Sequence, residues 1–232
     1  MTPFSDRFEA GRLLASKLAS YRERPNALVL ALPRGGVPVA YEIAKELHVD
    51  MDVFLVRKLG VPGNEELAMG AIASGGIRIL NEETIHALGI SAAAIDAATA
   101  REQKELERRE RLYRSGRPPL VVFGRCVILV DDGLATGATM KAAALALRKQ
   151  EAARIVVAVP IGSPEVCSEF EAEVDETVCG RTPDPLYAVG YWYEDFVQVA
   201  DEDVGELLNR VSLIKASPPE VASGKRDLFR RV

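Results

Sequence analysis

Two adjacent carboxylates, Asp131 and Asp132, follow the apolar run Val127-Ile128-Leu129-Val130 and precede a loop of small residues. Gly133, Ala135, Gly137 and Ala138 leave room for a ligand to approach the backbone, and Thr136 and Thr139 add hydroxyl groups. The stretch from Lys141 to Arg148 reads as a helix. The first amides of a helix are unpaired and lie at the positive end of its dipole, so a phosphate fits there. A carboxylate beside a phosphate site costs repulsion unless it has a donor or a cation to hold. Sugar hydroxyls are such donors, and a magnesium shell is such a cation site. The combination predicts a site for a sugar phosphate with free hydroxyls, at the carboxyl edge of a buried strand.

Two other phosphate motifs are excluded. The loop Gly-x-x-x-x-Gly-Lys-Ser/Thr needs a lysine that is absent here, and Gly-x-Gly-x-x-Gly does not occur in the stretch. What Val127 to Met140 does resemble is the PRPP-binding sequence of the type I phosphoribosyltransferases, PRPP being 5-phosphoribosyl 1-diphosphate. That sequence is an apolar run, two acidic residues, then x-x-x-Thr-Gly-x-Thr.

The elements that must position this loop can be read along the chain. Phe8, Leu13, Leu14, Leu18 and Tyr21 recur at helical spacing, which predicts a first helix ended by Pro25. Ala27 to Leu32 is a continuous apolar run, as in a strand buried on both faces. Pro33-Arg34-Gly35-Gly36 follows it, then a helix from about Val39 to Leu47. Gly35 and Gly36 permit backbone shapes closed to other residues, and Arg34 places a cation beside them. In the resembling enzymes the loop at this place binds the diphosphate of PRPP. Met51 to Val56 reads as a strand ending in Arg57-Lys58, two cations expected at the same sheet edge. Leu59 to Leu67 reads as a loop, and Ala68 to Ser74 with Ile77 to Leu80 as a hairpin around Gly75-Gly76. By the resemblance, the loop would close over PRPP and keep water from the cation developing at the ribose C1.

A short helix is expected at Asn81 to Leu88 and a longer one from Ser91 to Tyr113. The alternating charges after Arg101 suit a solvated face held by i,i+4 pairs, and no chemistry is assigned to them. Arg154 to Pro160 reads as a strand, Ser163-Pro164 as the capped start of a helix, and Glu176 to Cys179 as a short strand. Asp201 to Val211 reads as the last helix, and a polar tail follows from Ala216.

Between them, Leu186 to Phe196 gathers five aromatic residues beside acidic groups. It resembles the segment that covers the base in the 6-oxopurine phosphoribosyltransferases. By that resemblance Tyr187 stacks on an acceptor ring and Glu194 or Asp195 faces it. One departure bears on the acceptor: the 6-oxopurine enzymes carry an aspartate before Thr-Gly, where Ala135 stands here. No lysine before Tyr187 reads a 6-oxo group either. Hypoxanthine and guanine are therefore not the expected acceptors.

Alternating strand–loop–helix units predict an α/β fold with a doubly wound, mostly parallel sheet. The resemblance adds a β-hairpin with a flexible loop and a small C-terminal hood. The expected organisation is one domain over residues 1–215, with a helical excursion at about 81–117, a hood at about 176–200 and a tail at 216–232. The implied activity is transfer of a 5-phosphoribosyl group from PRPP to a nitrogen nucleophile, of the nucleobase class, with release of pyrophosphate. Ala135, Thr136, Gly137, Ala138 and Thr139 would hold the 5-phosphate. Asp131 and Asp132 would hold the ribose hydroxyls, with Asp132 stabilising positive charge near C1. Arg34, Gly35 and Gly36 would hold the diphosphate with Mg2+, to which Asp131 is the candidate protein ligand. Arg57 and Lys58 would neutralise the leaving group, and Asp131, Asp132 and Lys58 form the expected catalytic set. The other reading is a protein of this fold that senses PRPP or a nucleotide without turnover.

Composition narrows the classes further. The 232 residues carry a formal charge of −5, against a general nucleic-acid binder, and 48% are hydrophobic, enough for a sizeable core. No apolar run approaches the ~20 residues that span a bilayer. No export signal is visible in the polar start. His48 and His86 lack nearby ligand partners. Cys126, Cys167 and Cys179 show no metal-ligand spacing and read as thiols of a reducing cytosol. A cytoplasmic homodimer is expected.

Overall fold

The computed structural model describes residues 2–216, and the expected tail lies outside the described residues from 217 onward. Its strands are β1 (Ala27–Ala31), β2 (Asp50–Val53), β3 (Val56–Val61), β4 (Asn64–Ala73), β5 (Ile77–Leu80), β6 (Cys126–Val130), β7 (Arg154–Ile161) and β8 (Glu176–Arg181). The helices are α1 (Arg7–Lys17), α2 (Gly36–Leu47), α3 (Glu82–Leu88), α4 (Ala92–Tyr113), α5 (Ala138–Lys149), α6 (Pro164–Glu171) and α7 (Asp201–Ala216).

Five strands form a parallel sheet in the order β2-β1-β6-β7-β8. The apolar runs of β1 and β6 are buried along their whole length. Alternate side chains go to opposite layers, as a strand's period of two requires. Val29, Ala31, Ile128 and Val130 share a core with Leu14, Ile43, Leu47 and Leu208. Leu28, Leu30, Val127 and Leu129 share the other with Met140, Leu147 and Phe170. Each such aliphatic side chain contributes about 1.5–3 kcal/mol of burial. Both faces of the sheet are covered by helices, so the fold is the doubly wound α/β arrangement the sequence predicts.

The topology fixes where a ligand can sit. The chain moves from β1 outward to β2, then returns to the other side of β1 for β6. Ala31 pairs with Val130, so both strands end at the same level. A crevice opens outside their carboxyl ends at this switch point.

A second, antiparallel sheet of order β3-β4-β5 stands beside the first. It corrects two expectations. Leu59 to Leu67 is not a loop: most of it belongs to the paired strands β3 and β4, with Gly63 at φ +82° in the turn between them. The glycines that suggested a loop serve this pairing. Register shifts flank Gly60, where an added Cβ would stand 2.8 Å from the Glu65 Cα. Such close approach within a bulged strand is a common use of glycine. Arg57 and Lys58 are not at the end of a main-sheet strand: they lie inside β3, where neighbouring side chains face opposite ways.

The caps follow the sequence. Asn81, Ser91 and Ser163 each accept a backbone N–H of the helix they begin, Ser163 with Pro164 at the first helical position. The cysteines do not all follow it. Cys167 on α6 and Cys179 on β8 form a disulfide, with Cα atoms 6.6 Å apart, and Cys126 alone is a free buried thiol. Spacing along the chain hides this pair because α6 folds back on the strand that follows it. No helix among the described residues is long and apolar enough to cross a membrane.

Candidate active site

The loop after β1 begins with Leu32 N–H donating to Val130 O at 2.8 Å, which ties it to β6 from the first residue. The Pro33–Arg34 peptide is cis. Gly36 N–H returns to Leu32 O at 3.1 Å and starts α2. Both glycines are needed for space. A Cβ on Gly36 would stand 2.6 Å from Val130 O, and one on Gly35 would stand 2.1 Å from Asp132 Oδ2. The Pro33–Gly36 loop and the acidic pair are therefore in direct contact.

The loop after β6 starts with the carboxylates. Asp131 Oδ1 accepts the Asp132 N–H at 2.8 Å. Burial and the neighbouring Asp132 charge push Asp131 well above the usual carboxylate range. Burial also raises Asp132, against the opposing pull of Arg7. Leu134 is buried and its N–H donates to Ile161 O at 2.7 Å, pegging the loop to β7. Ala135, Thr136, Ala138 and Thr139 are exposed. Gly137, at φ +73°, precedes α5, and no side chain caps that helix. Its first amides lie unpaired at the positive end of the helix dipole, where an anion fits. The α6 side chain of Phe170 closes the back, 2.7 Å from where a Gly137 Cβ would lie.

The segment after β8 roofs the acids. A Cβ on Gly133 would lie 2.3 Å from Val189 Cγ1. The Tyr193 hydroxyl donates to Asp132 O at 2.6 Å. Burial and the Asp132 charge push that phenol far up. Phe196 stacks on Tyr193 with centroids 5.0 Å apart. The chain's start joins this roof: Phe4 N–H donates to Trp192 O at 2.8 Å, and Phe4 O accepts Glu194 N–H at 2.7 Å. Arg7, at the first turn of α1, donates from Nε to Asp132 Oδ2 at 2.8 Å and from Nη1 to Val197 O at 2.9 Å.

Of the residues singled out by sequence, Gly35, Gly36, Asp131 and Asp132 come together in one cluster, with Ala135 to Thr139 beside it. Arg34 lies 3.6 Å from Asp201 at the start of α7. Arg57 turns away, its Nε and Nη2 held by Glu102 Oε2 of α4 at 2.9 and 2.6 Å. Lys58 lines a cavity of about 610 Å³ between the hairpin sheet and α5, together with Ala138 and Thr139. Tyr187 is 85% exposed at φ +51°. Glu194 and Asp195 are exposed on the roof, with the Asp195 carboxylate accepting Val197 N–H at 3.0 Å. Arg7, Tyr193 and Phe4 were not legible as site residues. Arg7 stands 125 positions from Asp132 and carries no motif. Tyr193 at least belongs to the aromatic run that marked the roof.

The arrangement suits an elongated ligand with an anion at each end and hydroxyl donors between. Among the described residues no group of three or more His, Cys, Asp or Glu is placed to hold a metal ion alone.

The family model described as Phosphoribosyl transferase domain matches residues 6–178. Proteins from two strains of Mycobacterium tuberculosis, with provisional names as phosphoribosyl transferases, are each 46% identical over 210 residues, or 90% of this chain. The match takes in 47% of either relative, so the chain spans about half the length of the curated relatives it matches. The crystal structure of TT1426 from Thermus thermophilus is similar at 43% identity with a TM-score of 0.80, over 90% of this chain and 99% of that one.

Proposed function

The chain belongs to the phosphoribosyl transferase domain family, and from that premise we propose that it transfers the 5-phosphoribosyl group of PRPP to a nitrogen nucleophile of the nucleobase class, releasing pyrophosphate. The observation that carries the reading is the contact of Gly35 with Asp132, which puts an arginine-glycine loop, two carboxylates and an uncapped helix start on one edge.

In this reading the exposed amides and hydroxyls of Ala135 to Thr139 bind the 5-phosphate. Asp131 and Asp132 accept hydrogen bonds from the ribose hydroxyls, and Asp132 stabilises positive charge growing at C1. Arg34, Gly35 and Gly36 hold the diphosphate. Lys58 supplies positive charge on the hairpin side of the phosphate loop. Arg57 is left out of the contact set because Glu102 holds its guanidinium. Catalysis is then positional and electrostatic, with the groups fixed before charge develops.

Magnesium fits the donor set. A carboxylate pushed up by burial and by its neighbour's charge is relieved by a cation, and Mg2+ combines one or two carboxylates with phosphate oxygens and water. Asp131 would hold it. Bound with the diphosphate, it would neutralise charge on the leaving group.

Tyr187, Glu194 and Asp195 form the acceptor side, on the roof that Tyr193 ties to Asp132. Ala135 removes the carboxylate that the 6-oxopurine enzymes place before Thr-Gly, so the acceptor lies outside hypoxanthine and guanine. A cytoplasmic homodimer completes the proposal.

Calorimetric titration of PRPP, with and without Mg2+, tests it. Magnesium-dependent binding is expected in the wild type and none in the protein carrying Asp131→Asn with Asp132→Asn. Unchanged affinity in that variant would remove the central claim. Binding without pyrophosphate release across a panel of bases would favour the sensing role over transfer.

A further inference from the structure

We propose that Arg7 is a positioning residue of this site: it fixes the Asp132 carboxylate against the ribose hydroxyls and ties it to the roof over the acceptor. The inference rests on the PRPP reading above and adds a residue from outside the Val127 to Met140 stretch.

Three partners from two segments converge on this one side chain. Its Nε meets Asp132 Oδ2 at 2.8 Å, its Nη1 meets Val197 O at 2.9 Å, and its guanidinium carbon lies 3.9 Å from the Phe196 ring centroid. Arg7 is 8% exposed, and a charged residue this buried needs hydrogen-bonded partners. A planar fork can donate in two directions while its face covers an aromatic ring, and a lysine ammonium cannot reproduce all three contacts.

Asp132 is correspondingly constrained. Its N–H goes to Asp131 Oδ1, its main-chain oxygen takes the Tyr193 hydroxyl, and its Oδ2 is shared between Arg7 and the face of Gly35. Arg7 is the side-chain partner that sets the rotation of the carboxylate. It also links that rotation to Phe196 and Val197, so movement of the roof is felt at the acid. The diphosphate loop and the phosphate loop make no hydrogen bond with Arg7 in this arrangement. The effect of Arg7 therefore falls first on the sugar hydroxyls and reaches the diphosphate loop only through the Asp132 carboxylate that packs on Gly35.

That separation defines the test. Full-length wild type, Arg7→Lys and Arg7→Met are each titrated with PRPP and, separately, with inorganic pyrophosphate, both with Mg2+. PRPP has the ribose hydroxyls and pyrophosphate does not. Arg7→Met is expected to weaken PRPP by about tenfold, as for loss of one charged hydrogen bond. Pyrophosphate should stay within about twofold of wild type. Arg7→Lys should recover part of the PRPP affinity, and it keeps the charge if Arg7→Met does not fold. Equal losses for the two ligands, or no loss for PRPP in both variants, would overturn the role given to Arg7. A wild type that binds pyrophosphate but not PRPP would instead overturn the PRPP reading itself.

Discussion

Gly35 and Asp132 lie 97 positions apart in the chain, yet a Cβ on Gly35 would stand 2.1 Å from Asp132 Oδ2, closer than real atoms pack. Gly35→Ala must therefore swing the Asp132 carboxylate away from Arg7 or push the two loops apart. Overpacking of this kind costs about 1–3 kcal/mol, and here it falls between the diphosphate and ribose subsites. PRPP affinity should drop by about tenfold to a hundredfold by calorimetry. Wild-type affinity in Gly35→Ala would show that the carboxylate or the loops move without cost to the site.

Glu102 and Arg57 give the opposite expectation. Glu102 is buried on α4, and both Arg57 donors go to its Oε2. Glu102→Gln should lower unfolding stability by about 1–3 kcal/mol, because a charge on Arg57 loses its partner. PRPP binding should stay within about twofold. A large loss of affinity at unchanged stability, seen by titration and denaturant melts together, would return Arg57 to the contact set.

Tyr113 provides a pH prediction. Its hydroxyl donates to Asp201 Oδ1 at 2.5 Å, and burial with that carboxylate pushes the phenol up to about 12. The unfolded value is about 10. The folded state thus favours the neutral phenol, and the stability this gives is complete below about pH 10. It is lost as pH rises from about 10 through about 12. In Tyr113→Phe that part of the alkaline decline should be missing. Denaturant midpoints of the two proteins that fall in parallel over this range would contradict it.

The cysteines make a covalent prediction. Peptide mapping without reductant should find Cys167 joined to Cys179, with Cys126 alkylated only after unfolding, since burial both hides that thiol and pushes it up. Replacing the pair by serines opens a loop of 12 residues and should cost roughly 2–3 kcal/mol. Rapid alkylation of all three cysteines in the native protein would exclude the bridge.

What the sequence made legible was local. The apolar runs of β1 and β6, the glycines after them and the Ser163-Pro164 cap each report on their own neighbourhood, and all stand where expected. Period and composition carry no register between distant segments. Arg57 and Lys58 read as a matched pair of cations until pairing with β4 turned them to opposite faces. The glycines around Leu59 read as a loop because a bulged strand uses the same residue. Phe4, Arg7 and Tyr193 meet Asp132 or one another only through tertiary folding, and no pattern within α1 could announce it. The Cys167–Cys179 bridge is hidden for the same reason.

The chain's single tryptophan, Trp192, sits in the roof, with Nε1 donating to Leu186 O at 3.3 Å and its carbonyl paired with Phe4. Excited beyond the absorption of the six tyrosines, the molecule therefore carries one indole emitter, placed in the roof and away from the two large cores. Its spectrum is a local gauge: a change of intensity when a small molecule binds is reported from the roof alone, with no background from a second indole. Candidate acceptors can be sorted by this light without any label attached to the protein.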